Sequence, residues 1–117
     1  MKPPRDCREH LADILNAAQK ALDFVAGMSY EDFLADDKTI YAVIRALEII
    51  GEAAKRIPPD LRDLHPQVPW RSMAGIRDKL IHNYVNVHPE VVWRTVTEDL
   101  PPLLPMLRRV LVDISRQ

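Results

Sequence analysis

The segment "RDKLIHNY", residues 77–84, contains three side-chain types that can act together on a phosphodiester. Histidine titrates near neutral pH, so His82 can take a proton from a ribose 2′-hydroxyl. Arginine stays charged, and its planar fork suits Arg77 to holding two oxygens of a developing phosphorane. The hydroxyl of Tyr84 can orient a phosphate, or its ring can stack on a base. These residue types suit RNA cleavage that needs no metal ion.

The spacing of the three residues limits how a single helix can use them. A helix turns about 100° per residue, so Tyr84 shares a face with Arg77, whereas His82 lies about 140° from Arg77. Two arrangements would bring the arginine and the histidine to one substrate. Either the helix ends near Ile81, and His82 lies on the following segment, or two copies of the chain pair their motifs across an interface. Pro89, which cannot continue a helix, favours an early end.

The other histidines give little sign of a second site. A lone histidine at a helix end is more often structural than catalytic. A metal site built from Asp78, His82 and His88 lacks helical ligand spacing and a further ligand, so we expect no bound metal. His10 and His65 stand in polar surroundings without spaced partners, and we expect both at the surface.

The composition is that of a soluble globular domain. Its 117 residues suffice for one hydrophobic core, so we expect a single domain over residues 1–117. The formal net charge is −1, so the chain as a whole does not attract nucleic acid, and any RNA site must be local. The single cysteine excludes an internal disulfide and favours a cytoplasmic location. No segment approaches the roughly 20 apolar residues of a membrane span.

Apolar residues at three- and four-residue steps predict an all-α fold, an up-and-down bundle of four main helices. The first helix is predicted over about residues 6–26, with Gly27 as its left-handed cap. A short capped turn is expected in "SYEDFLADD". The second long helix should begin at Asp36 or Asp37 and end at Ile57, before two prolines.

The second half of the chain is divided by prolines. One helical turn is expected around Leu61, and the third long helix, which carries the motif, should begin near Pro69. The last helix should begin at Pro89 and either kink or divide near Pro101.

"RDKLIHNY" resembles the Arg-x-x-x-x-His-x-Tyr signature of the HEPN superfamily, in its small HepT-like toxin branch. "RALEIIGEAAKRIP", residues 45–58, resembles the second long helix of that branch. "PWRSMAGIRDKLIHNYVNVHPEVVW", residues 69–93, resembles the motif-bearing segment and the start of the final helix. The resemblance implies a homodimer in which the two motifs face each other across a cleft.

The resemblance also implies an activity and a way of controlling it. Arg77 and His82 would be the catalytic pair of a metal-independent endoribonuclease toxin without a cofactor, and Asp78 would be a polar support. Tyr84 would orient the substrate and would accept AMP from a nucleotidyltransferase antitoxin, as in type VII-like toxin–antitoxin pairs. Added AMP brings negative charge and bulk to the mouth of an RNA site, so it should block the substrate. The alternative is a non-catalytic HEPN dimer that binds nucleotides or a nucleotidyltransferase.

Some residues depart from the family pattern or admit two interpretations. Val85 stands where relatives often have an aromatic residue, and His88 stands where an acidic residue is common. Arg45, Glu48 and Glu52 lie along one side of the second helix. A salt-bridged solvent-facing row is the favoured interpretation. A supporting role behind the site or a dimer contact is the alternative.

Overall fold

The computed structural model describes residues 7–82 and 88–116, and only the backbone at positions 77, 79, 81 and 82. In these ranges the chain forms helices and short connections, with no strand. The helices are α1 (Cys7–Val25), α2 (Tyr30–Leu34), α3 (Asp37–Lys55), α4 (Pro59–Leu64), α5 (Trp70–His82), α6 (Pro89–Arg94) and α7 (Leu100–Ser115). Helix α1 packs against α3 and α7, and α3 packs against α5. The predicted all-α bundle is confirmed.

The N-terminal half follows the local signals in the sequence. Helix α1 ends at Val25, and Gly27 adopts a φ of +78°, the left-handed conformation that a glycine cap permits. Ser29 and Asp32 form a reciprocal capping box at the start of α2, with hydrogen bonds of 3.1 and 3.0 Å. The predicted first helix and the capped turn that follows it are therefore confirmed.

Helix α3 begins after a side-chain cap and ends slightly earlier than predicted. The carboxylate of Asp36 accepts hydrogen bonds from the backbone N–H and the hydroxyl of Thr39, and these bonds lower the pKa of Asp36. The last helical residue is Lys55, two positions before the predicted Ile57. The proline after Ile57 disfavours helical geometry there. Arg62 of α4 then donates hydrogen bonds to carbonyls at the end of α3, including that of Ala54 at 3.0 Å.

A π-helical segment, Thr95–Asp99, joins α6 to α7. The N–H of Leu100 donates to the carbonyl of Thr95, five residues earlier. Pro101 has no N–H to offer the preceding turn, so the regular ladder cannot be completed there. The hydroxyl of Thr97 donates to the carbonyl of Trp93 at 2.8 Å. A kink or a division was predicted near Pro101, and the structure has a widened turn just before the proline, with α6 and α7 still connected.

The core lies where α1, α3 and α7 meet. Its largest fully buried side chains include Phe33, Leu11, Ile14, Leu47, Ile50, Met73, Leu100 and Leu107. The ring of Trp93 packs on Phe33 with ring centres 5.2 Å apart. In the part of the chain that is described, no helix is long and apolar enough to span a membrane.

The prediction that His10 lies at the surface is wrong. Its side chain is only 6% exposed. His10 precedes Ile14 by four residues and Ala17 by seven, so it shares the core-facing side of α1. The surface prediction followed the polar residues next to His10 and overlooked its helical spacing from Ile14 and Ala17.

Candidate functional site

The first six motif residues, 77–82, form the second half of α5, and the first half of this helix is anchored by buried side chains. Trp70 and Met73 are buried, and the indole N–H of Trp70 donates to the carbonyl of His65 at 3.0 Å. The predicted start of this helix near Pro69 is confirmed, since α5 begins at Trp70. Ile76 and Leu80, further along α5, are only partly buried.

The structure places three of the four predicted site residues on α5. Arg77 and Asp78 lie within the helix, and His82 is its last residue. The side chains of Arg77 and His82, and all of Tyr84, lie outside the described residues. Because the backbone of His82 is helical, an early end near Ile81 does not remove the offset of about 140° between positions 77 and 82.

The two sides of α5 differ in their surroundings. Position 77 lies four residues after Met73 and three before Leu80, so it shares their side of the helix. Position 82 lies four residues after Asp78, so it shares the side of that residue. The helix therefore places the two predicted catalytic positions on different sides.

Asp78 joins α5 to the end of α3. Its Oδ1 accepts a hydrogen bond from Nζ of Lys55 at 2.9 Å. The two residues, which are 23 positions apart in the sequence, also form an ion pair. Sequence reasoning did not identify Lys55. A signal was present, however, since Lys55 lies three residues after Glu52 and ten after Arg45, on the same side of α3 as that row.

The row on α3 is partly a salt-bridged surface, as favoured from the sequence. Arg45 and Glu48 form an ion pair at 3.5 Å. Glu52 is half-buried and lies one turn before Lys55. Because Lys55 contacts Asp78, the row continues toward the motif helix and is not simply a solvent-facing strip.

A cavity of about 430 Å³ lies between α3, α5 and the segment that joins α6 to α7. Its walls are mainly apolar and include Leu47, Met73, Ile76, Leu80, Val92, Leu100 and Met106. Glu98 and Asp99 of the π-helical segment also line it. Two carboxylates beside apolar walls would repel the phosphates of RNA. The lining of this cavity is therefore unsuited to a polyanion.

In the described ranges, no three histidine, cysteine, aspartate or glutamate side chains come together in a way that could hold a metal ion. The side chain of His82, one of the ligands considered from the sequence, lies outside these ranges. His88 is exposed and precedes the first turn of α6, with no cap hydrogen bond from its side chain.

Comparison with known proteins shows similarity to one family of ribonucleases. The family model described as "Ribonuclease HepT-like" matches residues 14–110, which include α5 and the whole motif. "Probable ribonuclease HepT" of Thermococcus cleftensis is 54% identical over 99 residues, covering 85% of this chain and 90% of the relative. "Putative RNase MJ0125" of Methanocaldococcus jannaschii is 39% identical over 115 residues, covering 98% of this chain and 99% of the relative. No solved structure gives a significant match. The chain belongs to the HepT-like ribonuclease family.

Proposed function

We propose that this chain is a metal-independent endoribonuclease whose catalytic pair is Arg77 and His82. The observation that carries the proposal is the family match over residues 14–110, which spans the complete motif. Two relatives that align with this chain over most of their own length are named as ribonucleases. The all-α bundle, with the motif at the end of α5, agrees with that assignment.

The proposed reaction needs only groups that the motif provides. His82 takes the proton of the ribose 2′-hydroxyl, and the resulting oxygen attacks the adjacent phosphorus. Arg77 stabilises the added negative charge of the phosphorane. The bond from phosphorus to the 5′-oxygen then breaks, and a proton from the histidine or from water goes to that oxygen. The products are a 2′,3′-cyclic phosphate and a 5′-hydroxyl end.

Local positive charge supports RNA approach along the end of α3. Lys55 is the last residue of this helix, and Arg56, its C-cap residue, is exposed. The charge of Lys55 is paired with that of Asp78, so Arg56 is the cation left to attract phosphate at this point. With a net charge of −1 overall, any attraction of RNA must come from such local cations.

We further propose that activity is controlled at Tyr84 and assembled in a homodimer. Transfer of AMP to the Tyr84 hydroxyl by a nucleotidyltransferase antitoxin would add a phosphate and a nucleoside beside the catalytic pair. The dimer would bring two motifs together, because α5 of one chain carries positions 77 and 82 on different sides. The chain would then be the toxin of a toxin–antitoxin pair.

The test is RNA cleavage by the purified chain in EDTA. We expect the wild type to cut RNA and to leave cyclic phosphate ends, and His82→Ala to lose at least 100-fold in rate, as is typical for removal of a general base. His65→Ala is the matched histidine control. His65 lies in the connection between α4 and α5, outside the motif, so this variant should cleave RNA at the wild-type rate. Equal cleavage by His82→Ala and the wild type would remove His82 from the mechanism. An unmodified wild type that does not cut RNA would favour the non-catalytic nucleotide-binding dimer.

A further inference from the structure

The contact between Lys55 and Asp78 differs from three other surface ion pairs in the described part of the chain. Lys55 and Asp78 belong to different helices and are 2.9 Å apart. The ion pairs Arg45–Glu48, Arg94–Glu98 and Arg109–Asp113 each join residues three or four apart within one continuous helical stretch, at 3.5 Å. The contact with Asp78 therefore fixes one helix against another, which the other three cannot do.

This contact is poorly placed to stabilise the fold. The side chains of Lys55 and Asp78 are 40% and 56% exposed. Ion pairs with this exposure contribute little to stability, because water already solvates both charges. The packing of α3 on α5 depends instead on buried apolar side chains such as Leu47 and Met73.

The contact is well placed to hold the motif. The buried anchors of α5, Trp70 and Met73, lie near its start, whereas Ile76 and Leu80 are only partly buried. Asp78 directly follows Arg77 and precedes His82 by one turn. A hydrogen bond at position 78 therefore restrains the part of α5 that carries both catalytic positions.

We propose that Lys55 is a positioning residue of the ribonuclease site and acts through the carboxylate of Asp78. The proposal rests on the proposed roles of Arg77 and His82. Lys55 does not touch the reacting atoms in this scheme. It holds the last turn of α5 against the end of α3, and small displacements of catalytic groups are costly in rate.

A double-mutant cycle on RNA cleavage tests the proposal. Lys55→Met removes the charge and keeps most of the side-chain length, and Asp78→Asn removes the carboxylate. We expect each variant to lose about tenfold in kcat, with little change in KM, and the double variant to lose no more than either one. Lys55→Arg, which can still reach a carboxylate, should recover most of the rate. Arg109→Met, which breaks an exposed ion pair on α7, is the matched control and should cleave at the wild-type rate.

Other results would overturn the proposal. A Lys55→Met variant with normal kcat but a raised, salt-dependent KM would show that Lys55 only attracts RNA. Losses that multiply in the double variant would show that Lys55 does not act through Asp78. Thermal unfolding of each variant should match the wild type, and a large drop in Tm for Lys55→Met would assign the contact to folding.

The outcome for His82 separates this proposal from the proposed function. If His82→Ala is inactive and Lys55→Met is normal, only the positioning role fails. If His82→Ala cleaves like the wild type, the proposed site itself fails.

Discussion

The helical phase of α5 leads to a prediction about which chains build one site. Positions 77 and 82 both belong to α5 and are five residues apart, so one copy presents them about 140° apart. In the proposed homodimer, we therefore expect each site to take Arg77 from one copy and His82 from the other. Two-fold symmetry then gives two such composite sites per dimer.

The perturbation is to divide the catalytic pair between two inactive variants. Arg77→Ala and His82→Ala are each expected to be inactive alone. When equal amounts exchange subunits at random, about half of the dimers are mixed, and each mixed dimer regains one intact composite site of its two. The mixture should therefore recover roughly a quarter of the wild-type rate at the same total chain concentration.

The assay is the initial rate of cleavage of a fluorescent RNA in EDTA, with native mass spectrometry to measure the mixed dimer. Mixing Arg77→Ala with a chain that carries both substitutions is the control, because no dimer in that mixture has an intact site. Rescue only in the first mixture supports composite sites. If mixed dimers form and no activity returns, each site uses one chain, and the reasoning from the helical phase is wrong.

Three further predictions concern the fold and the control of activity. Ile50→Ala, at a fully buried position, should lower the free energy of unfolding by about 2–5 kcal/mol in urea denaturation, whereas Val91→Ala, at an exposed one, should change it by less than about 0.5 kcal/mol. The hydrogen bonds from Thr39 lower the pKa of Asp36 below its ordinary value of 3.8. The ionised carboxylate therefore stabilises the fold above pH 3.8, and this stabilisation is lost as the pH falls through the lowered pKa of the folded state. Asp36→Asn keeps a cap that does not titrate, and the acid side of its Tm-versus-pH curve should be flatter than that of the wild type. Tyr84→Phe should no longer accept AMP from the partner nucleotidyltransferase, and mass spectrometry that finds unchanged modification would identify another acceptor.

Local patterns in the sequence were enough to predict the helices. The steps of three and four residues identified α1, α3 and the stretch from α6 to α7, Pro69 marked the start of α5, and Gly27 marked the end of α1. The end of α3 was misplaced by two residues, because the effect of the proline pair reaches back to Ile57. His10 was misassigned because its polar neighbours suggested a surface, while the register of α1 places it in the core.

Features that depend on how helices meet could not be predicted in the same way. The sequence showed only that the helix is disrupted near Pro101, and it did not distinguish a π-helical turn from a kink or a break. The contact between Lys55 and Asp78 joins residues 23 positions apart and depends on the crossing of α3 and α5. Periodicity places Lys55 on the correct side of α3, but it does not show which residue of α5 lies opposite.

These findings divide α5 into two parts with different tasks. Its first turns are fixed by burial of Trp70 and Met73, so substitutions there should affect mainly folding. Its last turns carry the backbone of motif residues 77–82 and are tied to α3 through an exposed polar contact, Lys55 to Asp78. Substitutions in this part should change the rate of cleavage far more than the stability, because exposed polar contacts contribute little to folding.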